Sequence, residues 1–381
     1  MEDFDKYFDK DEYPELNRLF FLPLRESGNM AADPSGWTDT HSNVDEYNLF
    51  TPEIQKYYSD FYSQLNPIKN KLLPLFSKWD DISLVPENIT LCHSATVGSA
   101  ITLAFLISKG IRNIIFETPN YFASHYQAET FGLNIIRIPT FLEQQFELKI
   151  SEEIIKKYTP CAVFLTQPRT ALGINQNENS LFKLSQILGD KNFIIIDEAT
   201  EQFFPSKLNS FNFSKYENVI KIRSIFKGMG VNGVRLAYIV HHEKYRIQIA
   251  EEMEVMQGAL DIHSLKLSIE VASDIPRFQH LLSVANSQVT GLRKKAQSRI
   301  VGTNHELSQI TNGYIGSIAI KLINENRRME FVKYCAEMRM PVIIGSSMGF
   351  ARHKGIEFIR LNYFSREQHI LDGIEIMASF T

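Results

Sequence analysis

Lys227 lies in Ser224-Ile-Phe-Lys-Gly-Met-Gly-Val-Asn-Gly-Val-Arg235, between two strand-like apolar runs, with an arginine eight residues after the lysine. A lysine attacks a carbonyl only when its neighbours lower its pKa, and a Schiff base to an aldehyde cofactor is the commonest use of one. Ser224 and Arg235 suit a phosphate on such a cofactor, by a hydroxyl hydrogen bond and a charge-assisted one. Ser180-Leu-Phe-Lys183 repeats the Ser-x-x-Lys spacing, so the motif has to be read together with other groups.

Four further pieces occur in a consistent order. Ser94-Ala95-Thr96 follows a strand-like run and opens a helix, a place where backbone N–H groups and hydroxyls cradle a phosphate. Tyr121, in Thr118-Pro-Asn-Tyr-Phe122, is placed to stack on a flat ring. Asp197 ends Phe193-Ile-Ile-Ile-Asp197 at a strand's carboxyl end, where open α/β sheets bind ligands. Arg360, in the last strand-like run, is a candidate clamp for a substrate carboxylate. Taken singly, each has an ordinary reading: a helix cap for Asp197, Ser94 or Thr96, a core aromatic for Tyr121, a surface ion pair for Arg235 or Arg360. Those readings leave the common order unexplained, and pyridoxal phosphate (PLP) is the cofactor whose chemistry asks for the whole set. Lys183 precedes the aspartate and no comparable arginine follows it.

The elements that must position these groups alternate. Apolar runs at Ile89–Cys92, Asn113–Phe116, Ile135–Ile138, Ala162–Leu165 and Phe193–Ile196 are separated by helical stretches from Ala100 to Ser108, Ser124 to Phe131 and Ser180 to Leu188, with an earlier amphipathic helix from Asn66 to Phe76. Near-continuous apolar strands between helices predict a parallel sheet covered on both faces, an α/β domain. Val219–Ile222 and Val234–Val240 are joined too closely for a crossover helix, so they are antiparallel neighbours or lie at opposite edges. A long helical region is expected over 243–300. Ile315–Leu322, Pro341–Ile344 and Ile356–Leu361 read as strands of a smaller α+β domain. The expected division is an N-terminal arm and part of the small domain over 1–55, a large domain with its linking helix over 56–300, and a C-terminal small domain over 301–381.

Hydrophobic residues make up 44% of the 381 and charged ones 22%, the balance of an ordinary globular protein with room for two domains. A net charge of −4 gives no reason to expect nucleic acid or an anionic membrane as partner, and no apolar run is long enough to span a bilayer. Cys92, Cys161 and Cys335 show neither disulfide nor zinc spacing, and His241-His242 has no further ligand spaced to complete a site, so no metal is expected. The acidic N-terminus lacks an apolar leader. A cytoplasmic protein is the expectation.

With these residues in hand, the chain resembles the aspartate-aminotransferase superfamily of fold type I PLP enzymes, most of all its class I and II branch, from about residue 60 onward. The resemblance implies a mainly parallel, seven-stranded-type sheet flanked by helices, and a homodimer acting on an amino acid. It implies that Lys227 forms the Schiff base, Asp197 pairs with the pyridine nitrogen and Tyr121 stacks on the ring. Ser94, Ala95, Thr96, Ser224 and Arg235 would hold the phosphate, and Arg360 the substrate α-carboxylate. A tyrosine from the partner subunit commonly touches the phosphate in this family; Tyr57, Tyr58 and Tyr62 are candidates between which the sequence does not choose.

Two departures fall beside the cofactor. Where the family usually reads Asn-Pro-x-Asn-Pro-x-Gly this chain reads Gln167-Pro-Arg-Thr-Ala-Leu-Gly173, so Thr170 stands for the asparagine that bonds the ring hydroxyl. Thr200 stands for the usual tyrosine three residues beyond the aspartate. Trp37, in Asp33-Pro-Ser-Gly-Trp37, either closes over substrate as part of a lid or packs the arm on the body. Three functions follow: an aminotransferase, a PLP enzyme diverted to elimination, cyclisation or oxidation, and a PLP-binding regulator. The last is disfavoured by the presence of both Lys227 and Asp197 and by the lack of a DNA-binding module in the chain.

Overall fold

The computed structural model describes residues 13–27, 30–34, 61–148, 150–201, 217–231, 233–322, 327–352 and 355–380. Seven strands form the central sheet: β1 (Ile89–Cys92), β2 (Asn113–Thr118), β3 (Asn134–Pro139), β4 (Cys161–Thr166), β5 (Phe193–Asp197), β6 (Val219–Arg223) and β7 (Ala237–Val240). Their order is β1-β7-β6-β5-β4-β2-β3, and β7 runs antiparallel to both neighbours while every other pair is parallel. The two strands joined without a crossover helix are therefore antiparallel neighbours, and β7 carries the chain back beside β1.

Period-two packing explains why these strands read as unbroken apolar runs. Ala162, Phe164 and Ile195 enter one core with Ile101 and Phe105 of the helix Ala95–Ser108. Val163, Leu165, Ile194 and Ile196 enter the opposite core with Leu181 and Leu184 of the helix Glu178–Leu188. Both faces are covered, so β4 is apolar up to Thr166 and β5 up to Asp197. Gly98 lets the helix Ala95–Ser108 approach closely, because a Cβ there would lie 3.1 Å from both Cys92 Sγ and Ile222 Cγ2.

Several expected boundaries move. The helix expected from Asn66 to Phe76 runs Phe61–Asp80, because Trp79 and Asp80 are buried rather than solvent-facing. The region 243–300 is three α-helices, Arg246–Gln257, Ile262–Ala272 and Ile275–Arg299, each of the last two capped by an aspartate that accepts from the first turn. A short helix, Glu152–Tyr158, capped by Ser151, was not anticipated.

The second sheet is antiparallel, β10-β9-β8, built from β8 (Glu306–Leu307), β9 (Ile315–Lys321) and β10 (Ile356–Asn362). Helices Arg328–Glu337 and Glu367–Ala378 accompany it. The run Pro341–Ile344 is not a strand, contrary to expectation. Only Ile344 bridges to Ile359, because the turn Gly345–Met348 draws the chain away, with the Gly345 N–H donating to the Glu357 carboxylate at 2.9 Å. Leu16, Phe21 and Ala32 of the N-terminal segment share the core of this second sheet.

Candidate active site

The carboxyl ends of four parallel strands and β1 converge on one cavity of about 360 Å³. The turn after β1 brings Ala95, that after β2 brings Tyr121 and Phe122, and β4 with its following turn brings Thr166 and Thr170. Asp197, Ala199 and Thr200 come from the end of β5, and Lys227 from the 3-10 turn Ile225–Met229 after β6. Tyr314, Ile315, Ile343 and Arg360 close the cavity from the second sheet. Of the residues singled out in the sequence, Ala95, Tyr121, Thr170, Asp197, Thr200, Lys227 and Arg360 thus share one wall-to-wall space.

Burial dominates the electrostatics. It pushes the Asp197 carboxyl up to about 6, opposed by the N–H of Ala199, which donates to Oδ1 at 3.0 Å, and by the Lys227 charge. Burial likewise lowers the Lys227 ammonium, opposed by Asp197 and reinforced by the charges of Arg235 and Arg360. Burial and the two arginine charges thus favour the neutral, nucleophilic form of the Lys227 amine, and the Asp197 carboxylate works against it.

Buried ionic networks fix the loops that carry these groups. Arg169 donates to Gln176 Oε1 from Nε at 3.0 Å and Nη2 at 2.8 Å, and pairs with Glu117 at 3.3 Å, while the Gln176 amide donates to Glu117. That triad ties the turn bearing Thr170 to the end of β2. Beneath Asp197, the fully buried Arg223 bonds Asp80 at 2.6 Å, Glu198 at 2.8 Å and Glu201 at 2.5 Å, and the Tyr238 hydroxyl donates to Asp80 at 3.1 Å. The Glu198 and Glu201 contacts hold the backbone on either side of Ala199 and Thr200. Leaving one partner of such a buried set unpaired is strongly destabilising.

Other predicted residues sit around the cavity rather than on it. Ser94 is the N-cap of the helix Ala95–Ser108, its Oγ accepting from the Val97 N–H at 3.2 Å. The Thr96 hydroxyl lies 3.5 Å from the Tyr121 hydroxyl. Ser224 is buried at the start of the lysine turn, its carbonyl accepting from the Lys227 N–H at 3.0 Å. Arg235 is exposed, although its charge reaches Lys227. Tyr62 falls in the helix Phe61–Asp80, while Trp37, Tyr57 and Tyr58 lie outside the described residues. Tyr314, Ile315 and Ile343 were not anticipated. Gly313 before Tyr314, with φ of +77°, is a local mark of a close approach. Among the described residues no group of histidines, cysteines and carboxylates is arranged for a metal ion, and no helix is long and apolar enough to cross a membrane.

The family model for aminotransferase class I and II matches residues 61–369. Among curated relatives, histidinol-phosphate aminotransferase from Caldanaerobacter subterraneus subsp. tengcongensis is 23% identical over 192 residues, 50% of this chain and 52% of that protein. The same enzyme from Pyrococcus furiosus is 28% identical over 193 residues, 49% of this chain and 52% of that protein. The chain spans about half the length of the curated relatives it matches. Among solved structures, a double mutant of Thermus thermophilus aspartate aminotransferase superposes with a TM-score of 0.77 at 12% identity, covering 98% of this chain and 97% of that one. YbdL from Escherichia coli, described with a methionine aminotransferase function, gives 0.73 at 14% identity, covering 98% and 100%. Those low identities speak to the fold, and the match over residues 61–369 to the lineage: the chain belongs to the class I and II aminotransferase family.

Proposed function

We propose that the chain is a pyridoxal-phosphate-dependent aminotransferase acting on an amino acid through Lys227. One observation carries this reading: Lys227 and Asp197 line a single cavity at the carboxyl end of the sheet, and each opposes the burial-driven titration of the other. The donor set suits the cofactor group by group. Lys227 is the amine for the aldehyde, Asp197 the buried anion for the ring nitrogen, and Tyr121 the aromatic for the ring face. Ser94, Ala95 and Thr96 at a helix start, with Ser224 and Arg235, serve the phosphate. Bound there, the cofactor supplies an aldehyde that captures the substrate amine and a ring that accepts the electron pair released at Cα.

The chain's own residues then do four things. Asp197, as an anion, keeps a proton on the ring nitrogen beside it. Lys227 takes the Cα proton and returns it, and burial, by lowering its pKa, favours the neutral amine that this work needs. Arg360, buried in β10, clamps the substrate carboxylate. Phe122, Ile315 and Ile343 exclude water around the reacting carbon.

The domain division at 55/56 and 300/301, a homodimer in which one of Tyr57, Tyr58 and Tyr62 reaches the partner's phosphate, Trp37 as a substrate-facing lid residue, and a cytoplasmic site belong to the same reading. The curated relatives put histidinol phosphate among the first amines to try. The visible spectrum is the direct test. Purified protein given PLP should absorb in the visible, and Lys227→Ala should abolish that band; a band unchanged by the substitution sinks the reading.

Thr170 and Thr200, both lining the cavity, favour a second reading in which the same Cα deprotonation is diverted to elimination, cyclisation or oxidation. A single turnover with an amino acid and no keto acid separates the two. Transamination leaves the cofactor in its amine form, whereas repeated product formation with the cofactor unchanged rejects transamination.

A further inference from the structure

Tyr314 enters the cavity from a segment pinned to both loops that carry the threonines. The N–H groups of Thr311 and Asn312 both donate to the Gly173 carbonyl, at 2.7 and 2.9 Å, on the turn that bears Thr170. The Asn312 amide reaches Asn175 at 3.2 Å and Glu201 at 3.4 Å, the latter next to Thr200. Gly313 lies so close to the Thr200 backbone that a Cβ there would stand 2.6 Å from the Thr200 carbonyl oxygen. Behind Tyr314, its ring packs on Phe364 with centroids 4.5 Å apart, and its carbonyl accepts from the Tyr363 N–H at 2.9 Å. The side chain is fully buried yet faces the cavity, within electrostatic reach of Asp197, Tyr121 and Arg360.

The covalent frame of PLP says what this wall meets. With the ring nitrogen toward Asp197 and the aldehyde toward Lys227, the phosphate arm and the ring hydroxyl leave on opposite sides. The hydroxyl would therefore leave on the side away from the helix start at Ser94, and the cavity-lining hydroxyls that could hold it are those of Thr170, Thr200 and Tyr314. A threonine hydroxyl stands one bond beyond Cβ, whereas a tyrosine carries its hydroxyl across a whole ring. The Thr170 backbone is itself engaged, its N–H donating to Thr166 Oγ1 at 2.9 Å.

We propose that Tyr314 is a positioning residue that donates a hydrogen bond to the ring oxygen of PLP, doing from the second sheet what Thr170 and Thr200 are too short to do directly. Burial raises the phenol's pKa, so it keeps its proton and remains a donor across the neutral range. A donor at that oxygen favours its anionic form and tightens the cofactor.

This inference rests on PLP binding at Lys227, and the test separates the two. Tyr314→Phe, Thr170→Val and Thr200→Val are purified, reconstituted with PLP, and titrated by visible absorbance against pH, while PLP affinity is read from quenching of protein fluorescence and apoprotein melting is followed separately. Tyr314→Phe, which keeps the packing on Phe364, should move the absorbance midpoint up by about one pH unit and weaken PLP about tenfold, with apoprotein melting unchanged. Each threonine variant should move the midpoint less. Tyr314→Met provides a second variant with the same expected direction. An unchanged midpoint in Tyr314→Phe, or a larger shift in Thr170→Val, overturns the assignment while leaving PLP binding intact. So does a rise in amino-acid KM without a midpoint shift, which would put the phenol on the substrate carboxylate with Arg360. A wild-type protein with no PLP-dependent visible band overturns the functional reading itself.

Discussion

Asp197 and Lys227 oppose each other's titration across one cavity: the carboxylate limits how far burial lowers the ammonium, and the ammonium limits how far burial raises the carboxyl. Neither is settled by the other alone, since Asp197 still stands at about 6 in the protein without cofactor. The site therefore carries an electrostatic penalty that a cation at the ring nitrogen would relieve.

That penalty has a pH signature. The Asp197 carboxyl is raised from 3.8 to about 6, so the native apoprotein binds its proton more tightly than the unfolded chain does. The cost is absent below the unfolded value, grows as pH rises through that window, and is complete above it, about 3 kcal/mol at full size. Asp197→Asn keeps the acceptor for the Ala199 N–H and removes the charge. Urea unfolding of apoprotein should find the variant more stable than wild type at pH 7 and level with it at pH 3.5, with PLP affinity lowered. Equal stabilities at pH 7 would refute the account.

Arg360 is buried and charged at the cavity wall, and its charge also helps lower Lys227. Losing a charge-assisted hydrogen bond to a carboxylate costs about 1.5–3 kcal/mol. Arg360→Gln should lower kcat/KM for amino acids about 10- to 100-fold, mainly through KM, and should raise the pKa of Lys227 in the apoprotein. Arg360→Lys should recover only part of the loss, because an ammonium lacks the planar fork. Full activity in Arg360→Gln would move the carboxylate site elsewhere.

Gly313 has φ of +77° and packs against the Thr200 carbonyl and Pro168. Gly313→Ala has to push this turn off the Thr200 loop, at a cost of about 1–3 kcal/mol for the strained backbone. Apoprotein stability and PLP affinity should fall together, since the same turn carries Tyr314. If only one of the two falls, the turn does not couple the second sheet to the cavity.

Much of the site is legible in the sequence because its groups sit where strands end, and these strands announce themselves. Phe193–Asp197 is apolar at every position up to its acid because both faces of β5 are buried, so the boundary and the candidate residue coincide. Lys227 and Tyr121 are read the same way, from the turn that follows a strand. Tyr314 and Ile343 are not, because they reach the cavity through the packing of one sheet against loops of the other, which no local period records. Pro341–Ile344 shows the converse: apolar and buried, it reads as a strand, yet its backbone makes only one bridge before Glu357 captures the Gly345 N–H. Arg223 is hidden for a third reason. In Val219–Arg223 it looks like a polar strand end, and its burial is explained only by carboxylates remote in sequence, Asp80 143 residues away together with Glu198 and Glu201.

That buried cluster yields a last expectation. Lys221 and Arg223 face Asp80, Glu198 and Glu201, two cations against three carboxylates, and burial with like-charge neighbours raises Glu201 from 4.5 to about 7. Stability from this group is greatest while Glu201 holds its proton, and is lost as pH rises through 4.5 to 7. Arg223→Met strands three acids and should cost about 3–5 kcal/mol. Glu201→Gln removes the excess charge and keeps an oxygen acceptor for Arg223. In urea unfolding it should match or exceed wild type at pH 8 and lose that advantage at pH 4.5. The cluster holds the backbone flanking Thr200, so Arg223→Met should also weaken PLP, whereas Glu201→Gln should not. A Glu201→Gln protein as destabilised at pH 8 as Arg223→Met would show that the third carboxylate balances the arginine rather than overloading it.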